Sequence, residues 1–295
     1  MDGRQDGAGW VVRTGERPGT AGRLTEDHIV VLPDAVVVLD GVSTVTGDEP
    51  LGGWYARTLG ERLADGLGGG AAADLRAVLS EAIRAVAAEH RLLPGRSPAA
   101  TVAVLRRTGD RLDALVLGDS PVVAFGRDGT VHELRDDRLA DLVAPRPQLA
   151  EYRDRLAAGS GYDQRHRELM RELREFQYTV INREGGYWIA EAEPEAGLRA
   201  RTASWPLAEL TDVVLATDGV SSLVDDYRLA DWCTLVEDCR RSGPQWLVDA
   251  VHEAEAGDQG AVKWPRGKVH DDKALAHITL DAPPGQRVVH GRVGR

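Results

Sequence analysis

Apolar positions along the chain follow two rhythms. Short runs rich in valine and leucine, bounded by Gly, Pro and Asp, predict strands at "WVVR" (10–13), "ATVAVLRR" (100–107), "RLDALVLGD" (111–119), "PVVAFG" (121–126) and "TVHELR" (130–135). "HIVVLPDAVVVLD" (28–40) reads as two such runs joined at Pro33-Asp34, a hairpin that delivers Asp40 to the end of its second strand. The four runs from Ala100 to Arg135, separated by turns, predict a meander. Further strands are expected at "GYWIAEA" (186–192), "DVVLATD" (212–218) and "ALAHITLD" (274–281). The second rhythm is helical. "WYARTLGERLADGL" carries Leu59, Leu63 and Leu67 on one face, and "DLRAVLSEAIRAVAAEHRLL" carries Leu75, Val78, Leu79, Ile83 and Val86. "LAEYRDRL" and "RHRELMRELREF", separated by Gly159 and Gly161, are charged helices, and "YRLADWCTLVEDCRR" and "PQWLVDAVHEAEA" are two more. This interleaving suits a single α/β or α+β domain over 10–281, between a flexible stretch at 1–9 and a disordered tail at 282–295.

Charge narrows the function classes. Acidic residues outnumber basic ones by 47 to 36, and a net charge of −11 argues against a general binder of nucleic acid or anionic membrane. No apolar run is long enough to span a bilayer, and "MDGRQDGAGW" lacks the apolar core of a signal peptide, so a cytoplasmic protein is expected. Cys233 and Cys239 are too few for a disulfide framework and read as packing residues; a cysteine phosphatase would need an arginine six positions after its nucleophile, where Cys239 and Gln245 stand instead. "GLGGGAAAD" lacks the Gly-Lys-Ser/Thr ending of a nucleotide loop and is read as a linker.

Candidate chemistry gathers where strands end. Asp40 and Asp218 each close an apolar run and precede a glycine, Asp119 follows another run, Asp271 and Asp272 precede the last strand, and Glu26 and Asp27 precede the hairpin. A lone Asp-Gly is more often a turn than a ligand. Converging carboxylates repel one another unless hard cations sit between them, so the pattern points to a Mg²⁺ or Mn²⁺ site. Ser43, Thr44, Ser221 and Ser222 lack a partnering histidine and read as caps. His270 reads as a solvated loop residue, and Trp54, Trp188, Trp205, Trp232, Trp246 and Trp264 as core or interface aromatics.

"TED", "VVVLDGV", "ATVAVLRRTGDRLDALVLGDSPVVAFGRDGTVHEL", "DVVLATDGVSSLV" and "HDDKALAHITL" occur in the order found in bacterial metal-dependent serine/threonine phosphatases of the protein phosphatase 2C family, which the chain resembles from about residue 10 to about 280. The resemblance implies an α+β, four-layer α-β-β-α sandwich of two antiparallel sheets flanked by helices. It implies two Mn²⁺ or Mg²⁺ ions bridged by Asp40, with the Gly41 carbonyl on one ion and Asp218 and Asp271 on the other side. Glu26 would act through a coordinated water with Asp27 in support, Asp119 would help to hold a third ion, and Asp40 and Asp218 would be the catalytic core. Arg23 is the phosphate-binding candidate, with Arg13 and Arg17 as rivals, because the family's arginine commonly lies four residues before the glutamate and Arg23 lies three before Glu26. The sequence departs from the family at "DGVST", which offers no leaving-group acid, at Asp271-Asp272-Lys273, where Asp272 is the alternative ligand, and across 138–205, a divergent stretch in the place of the substrate-facing flap. The implied activity is hydrolysis of phosphoserine or phosphothreonine on proteins, opposing a bacterial Ser/Thr kinase. The alternatives are a regulatory pseudophosphatase and a phosphatase of small phosphate esters.

Overall fold

The computed structural model describes residues 5–6, 10–42, 51–68 and 73–280; the tail at 282–295, most of the N-terminal stretch, residues 69–72 of the glycine-rich linker, and Ser43 and Thr44 lie outside them. The chain begins with β1 (Gln5–Asp6), β2 (Trp10–Arg17) and the hairpin β3 (His28–Val31) and β4 (Ala35–Val42). Two helices follow, α1 (Gly52–Gly68) and α2 (Leu75–His90), then strands β5 (Ala99–Thr108), β6 (Arg111–Leu117), β7 (Val122–Gly126) and β8 (Val131–Leu134). A helical insert, α3 (Arg138–Val143), α4 (Pro147–Ala157) and α5 (Gln164–Val180), leads to the short α6 (Glu195–Leu198) and to β9 (Arg201–Pro206). The chain closes with β10 (Leu210–Ala216), α7 (Asp218–Asp225), α8 (Trp232–Ser242), α9 (Pro244–Ala256) and β11 (Lys273–Leu280).

The strands form two antiparallel sheets, one ordered β1-β2-β11-β10-β7-β8 and the other β3-β4-β5-β6-β9. Antiparallel sheets usually leave one face to water and alternate apolar with polar residues. Here both faces are covered, which explains the unbroken apolar runs. Val36 and Val38 of β4 enter the core between the sheets, whereas Val37 and Leu39 pack beneath α1 and α2. On the six-stranded sheet, Val213 and Leu215 face the other sheet while Val214 and Ala216 pack against α7, α8 and α9. The result is the expected four-layer sandwich.

The expected meander is split. β5 pairs with β6 in one sheet, but β7 pairs with β8 and β10 in the other, so Gly118-Asp119-Ser120 is a crossing between sheets rather than a hairpin turn. "GYWIAEA" makes only isolated bridges, Ala190 to Ala100 and Tyr187 to Ile181, because it runs over the end of the five-stranded sheet. The edge strand β9 pairs with β6 through the mostly polar "RTASWP", which carries no apolar alternation to announce it. Cys239 is buried, and burial pushes the thiol up to about 12; Cys233 is exposed and is not the packing residue expected, while Trp246, at 47% exposed, is not a core aromatic. No helix among the described residues is long and apolar enough to cross a membrane.

A buried polar knot ties α9 to the start of β11. Glu255 accepts from Lys273 Nζ at 2.7 Å and from the Tyr227 hydroxyl at 2.9 Å, and its Oε2 lies 2.9 Å from His270 Nδ1. Lys273 and Glu255 are respectively 0% and 1% exposed. Removing one partner of such a pair strands the other charge in a medium that cannot solvate it. Lys273→Met is therefore expected to cost about 3–5 kcal/mol, seen as a lower urea midpoint, with a smaller loss in the Lys273→Met/Glu255→Gln double variant.

Candidate functional site

The site lies where the apolar stripe between the sheets runs out. Side chains two residues apart on a strand share a face. Asp40 therefore continues the stripe of Val36 and Val38, Asp27 precedes Ile29 on the same face, and Thr217 follows Val213 and Leu215. The Thr217 hydroxyl donates to Asp27 Oδ2 at 2.8 Å, which joins the two sheets at this end. Asp27 is 2% exposed, and its Oδ1 has no hydrogen-bond partner among the described residues.

Both Asp-Gly pairs owe their glycines to close approach, since neither Gly41 nor Gly219 adopts positive φ. A Cβ on Gly41 would stand 2.5 Å from the Gly52 carbonyl carbon and 2.6 Å from the Glu26 carbonyl oxygen, so the start of α1 and the Glu26-Asp27 segment are pressed onto the end of β4. A Cβ on Gly219 would meet the Asp272 carbonyl oxygen at 1.9 Å, which brings the Asp271-Asp272 loop onto the start of α7. Each glycine thus draws a second carboxylate towards the aspartate that precedes it. Asp218 opens a helix rather than a turn, and Ser221 and Ser222 lie inside that helix instead of capping it.

Mutual repulsion shows in the ionisation of the group. Burial and then the charges of Asp218, Asp27, Asp271 and Asp119 hold the Asp40 carboxyl well above the usual carboxylate range. Asp218 is pushed up to about 8 by burial and by Asp271 and Asp119. Asp27 is raised by burial and by Asp271, Asp218 and Asp272, against the Thr217 hydrogen bond. Asp119, brought in by the crossing between sheets, is raised by the crowding around its carboxyl and by the charges of Asp136 and Asp271, although the residue is exposed to solvent. Asp271 is paired with Lys268 Nζ at 2.5 Å. Asp272 plays a different part, accepting the amides of Gly19 and Glu26, both at 2.6 Å, and so clamping the segment before β3.

The structure thus gathers Asp40, Asp218, Asp271, Asp119 and Asp27, with Asp272 beside Asp27 but its carboxylate engaged by the two backbone amides. Asp27 occupies the buried position, while Glu26 lines a neighbouring cavity of about 550 Å³ together with Arg23, Arg57, Lys268 and His270. A second cavity, of about 430 Å³, opens on Asp119, Asp218 and Asp271 from the side of the helical insert. Arg17 is engaged by Asp249 at 2.9 Å, and of the three candidate arginines Arg23 is the one that lines this cavity, although both Arg13 and Arg23 are exposed. His270 is not solvated: it bonds Glu255 and stacks on His252 at 3.9 Å and 10°. Although His252, Glu255 and His270 offer ligand atoms within 4.8 Å of one another, the parallel rings cannot both aim in-plane lone pairs at one ion, and Lys273 already holds Glu255.

An all-oxygen set of clustered carboxyls with a partnerless buried oxygen fits a hard divalent cation. Lys268, Arg57 and Thr217 are the residues that sequence reasoning missed. A basic residue one turn after Gly53, and a lysine three residues before Asp271, are the signals that could have found the first two.

The sequence model of the family described as protein phosphatase 2C matches residues 26–252. Among solved structures, the catalytic domain of the serine/threonine phosphatase PstP in complex with two manganese ions is 15% identical, with a TM-score of 0.56 over 92% of this chain and 98% of that one. The phosphatase MsPP from Mycobacterium smegmatis, in complex with cacodylate, is 19% identical, with a TM-score of 0.53 over 92% and 98%. Stp1 from Staphylococcus aureus is 11% identical, with a TM-score of 0.57 over 96% and 100%. At these identities the likeness is one of fold. No curated protein matches the chain significantly. The sequence match runs through Asp27, Asp40, Asp119 and Asp218 and covers most of the chain, which therefore belongs to the protein phosphatase 2C family.

Proposed function

We propose that the protein is a metal-dependent phosphatase that hydrolyses phosphoserine and phosphothreonine on proteins, acting on targets of a bacterial Ser/Thr kinase. The observation that carries this reading is the convergence of Asp40, Asp218, Asp271, Asp119 and Asp27 at one end of the sandwich, with Asp27 Oδ1 left without a partner. A scaffold that only bound a partner would gain nothing from carboxyls that repel one another. Asp40, the Gly41 carbonyl, Asp218, Asp271 and Glu26 would hold two Mn²⁺ or Mg²⁺ ions, and Asp119 a third. When bound, such ions supply a water of lowered pKa and neutralise charge on phosphoryl oxygens. The chain's own residues do the rest. Asp27 and Thr217 lock the two sheets together beneath the site, Asp272 holds the Glu26 amide in place, and Arg23 offers a guanidinium fork to the phosphoryl group. The 138–205 stretch serves as the substrate-facing flap, with α4 and α5 closing one wall of the 430 Å³ cavity through Tyr152, Arg153 and Met170.

The test is hydrolysis of p-nitrophenyl phosphate and of phosphothreonine peptides. Turnover is expected with Mn²⁺ or Mg²⁺ and is expected to fall by more than about a hundredfold in chelator. A folded protein that binds metal but turns over neither substrate would identify a regulatory module. Activity confined to small esters would remove the protein substrate.

A further inference from the structure

The two cavities beside the acidic cluster differ in charge. The 430 Å³ cavity is dominated by carboxyls, among them Asp119, Asp136, Asp137, Asp225 and Asp226. The 550 Å³ cavity is lined by Arg23, Arg57, Lys268 and His270 against Glu26 and Asp272. Asp272 is committed to the two backbone amides, and Lys268 to Asp271. Among the described residues neither Arg23 nor Arg57 has an ion-pair partner, although the chain is acidic and nearly every other cationic side chain near this end of the sandwich has one.

Arg57 is held in a particular pose. It lies half-buried on α1, and a helical side chain leans back over the preceding turn. A Cβ built on Gly53 would stand 3.0 Å from the Glu26 Cα and 3.4 Å from Arg57 Nη1, so the guanidinium lies over Gly53 beside the Glu26 segment. Gly53 is required by the backbone of the same segment, since its Cβ would also stand 3.1 Å from the Thr25 carbonyl oxygen, and this close approach sets α1 and Arg57 against the cavity wall. A planar guanidinium without a carboxylate, in a recess next to a phosphoryl site, is built to receive an oxyanion.

From this geometry we infer that the cavity is a second anion subsite, in which Arg57 binds an anionic group of the substrate other than the phosphoryl group that is hydrolysed. The inference rests on the phosphatase reading and names the substrate class within it. The group is a carboxylate of an acidic residue flanking the phosphorylated one, or a second phosphate. With Arg23 assigned to the reacting phosphoryl group, Arg57, which lines the same cavity from α1, takes the second anion, and the substrate would lie along the segment from Glu26 to α1.

The experiment compares kcat/KM for three phosphothreonine peptides, flanked by alanine, by aspartate and glutamate, or by a second phosphothreonine, in the wild type, Arg57→Ala and Arg57→Lys. The wild type is expected to prefer at least one anionic peptide over the alanine peptide by about tenfold, equivalent to about 1.4 kcal/mol. Arg57→Ala brings that ratio close to one through KM, and Arg57→Lys restores part of it. Whichever anionic peptide is preferred identifies the group. A wild-type ratio near one, or an equal loss on all three peptides in Arg57→Ala, overturns the inference. Absence of metal-dependent turnover of p-nitrophenyl phosphate by the wild type would instead remove the phosphatase reading. The subsite is then decided by anisotropy with a fluorescent acid-flanked phosphonate peptide: binding weakened about tenfold in Arg57→Ala sustains it, and binding that is absent or indifferent to Arg57 overturns it.

Discussion

Asp40→Asn is expected to lower metal-dependent turnover of p-nitrophenyl phosphate by about a thousandfold or more, while raising the melting temperature of the metal-free protein. Both effects come from one change. Asparagine keeps the shape of the side chain at the end of β4 but removes a charge that Asp218, Asp27, Asp271 and Asp119 all oppose. Without metal the fold must keep a proton on Asp40 that the unfolded chain releases, which costs stability that asparagine does not incur; with metal the ionised carboxylate holds the ions together, so its removal empties the site. The pairing distinguishes a ligand from a structural aspartate, whose loss would lower activity and stability together. Isothermal titration with Mn²⁺, differential scanning calorimetry of the chelated protein and a rate assay make the comparison. Retention of activity within tenfold would place the reacting centre elsewhere.

Much of this site can be read from strand ends alone. Asp40 and Asp218 close apolar runs, and a run that is apolar on both faces can end on a carboxylate only at the rim of the sandwich, so their positions follow from pattern. Thr217 and Asp27 are harder, because their role depends on a contact across 190 residues that no local pattern encodes. The choice between Asp271 and Asp272 stays open in the sequence for the same reason: only the amides of Gly19 and Glu26, 253 and 246 residues away, show that the Asp272 carboxylate is engaged elsewhere. Arg57 is hidden by its helix. A reading of α1 by its buried leucines treats the intervening arginine as solvated surface, and the recess that gives it meaning is made by residues from three distant segments. The edge strand β9 escapes because its pairing with β6 relies on backbone bonds rather than on side-chain alternation.

The metal-free protein is expected to lose stability as pH rises from about 6.5 to about 8, and Mg²⁺ or Mn²⁺ is expected to reverse that loss. Proton linkage sets the direction. Asp218 titrates near 8 in the fold instead of at the ordinary 3.8, and burial and like charges raise Asp40, Asp27 and Asp119 in the same direction. Below the unfolded value both states are protonated and the groups contribute nothing. Above it the unfolded chain releases protons that the folded one retains, so stability falls with every step of pH until the folded carboxyls also ionise. His252 acts oppositely: burial, and then the charges of His270, Arg17 and Lys273, lower it from 6.5 to about 4, so it adds stability as pH rises through that interval and masks the carboxyls there. Above about 6.5 the opposing contributions of His252 and of His28, which burial also lowers, fade as the unfolded imidazoles lose their protons, and the carboxyl effect comes to dominate towards pH 8. Cations that bind the ionised cluster stabilise by about 2.7 kcal/mol at a hundred times their Kd, and their advantage grows with pH because fewer protons compete. Thermal melts at pH 6.5, 7.25 and 8 with chelator and with saturating Mg²⁺ read the difference directly: the two series are expected to diverge by several degrees at pH 8 and to converge towards pH 6.5. In Asp218→Asn the chelated series is expected to flatten and the metal response to shrink. Parallel wild-type series would mean that these carboxyls do not share a cation.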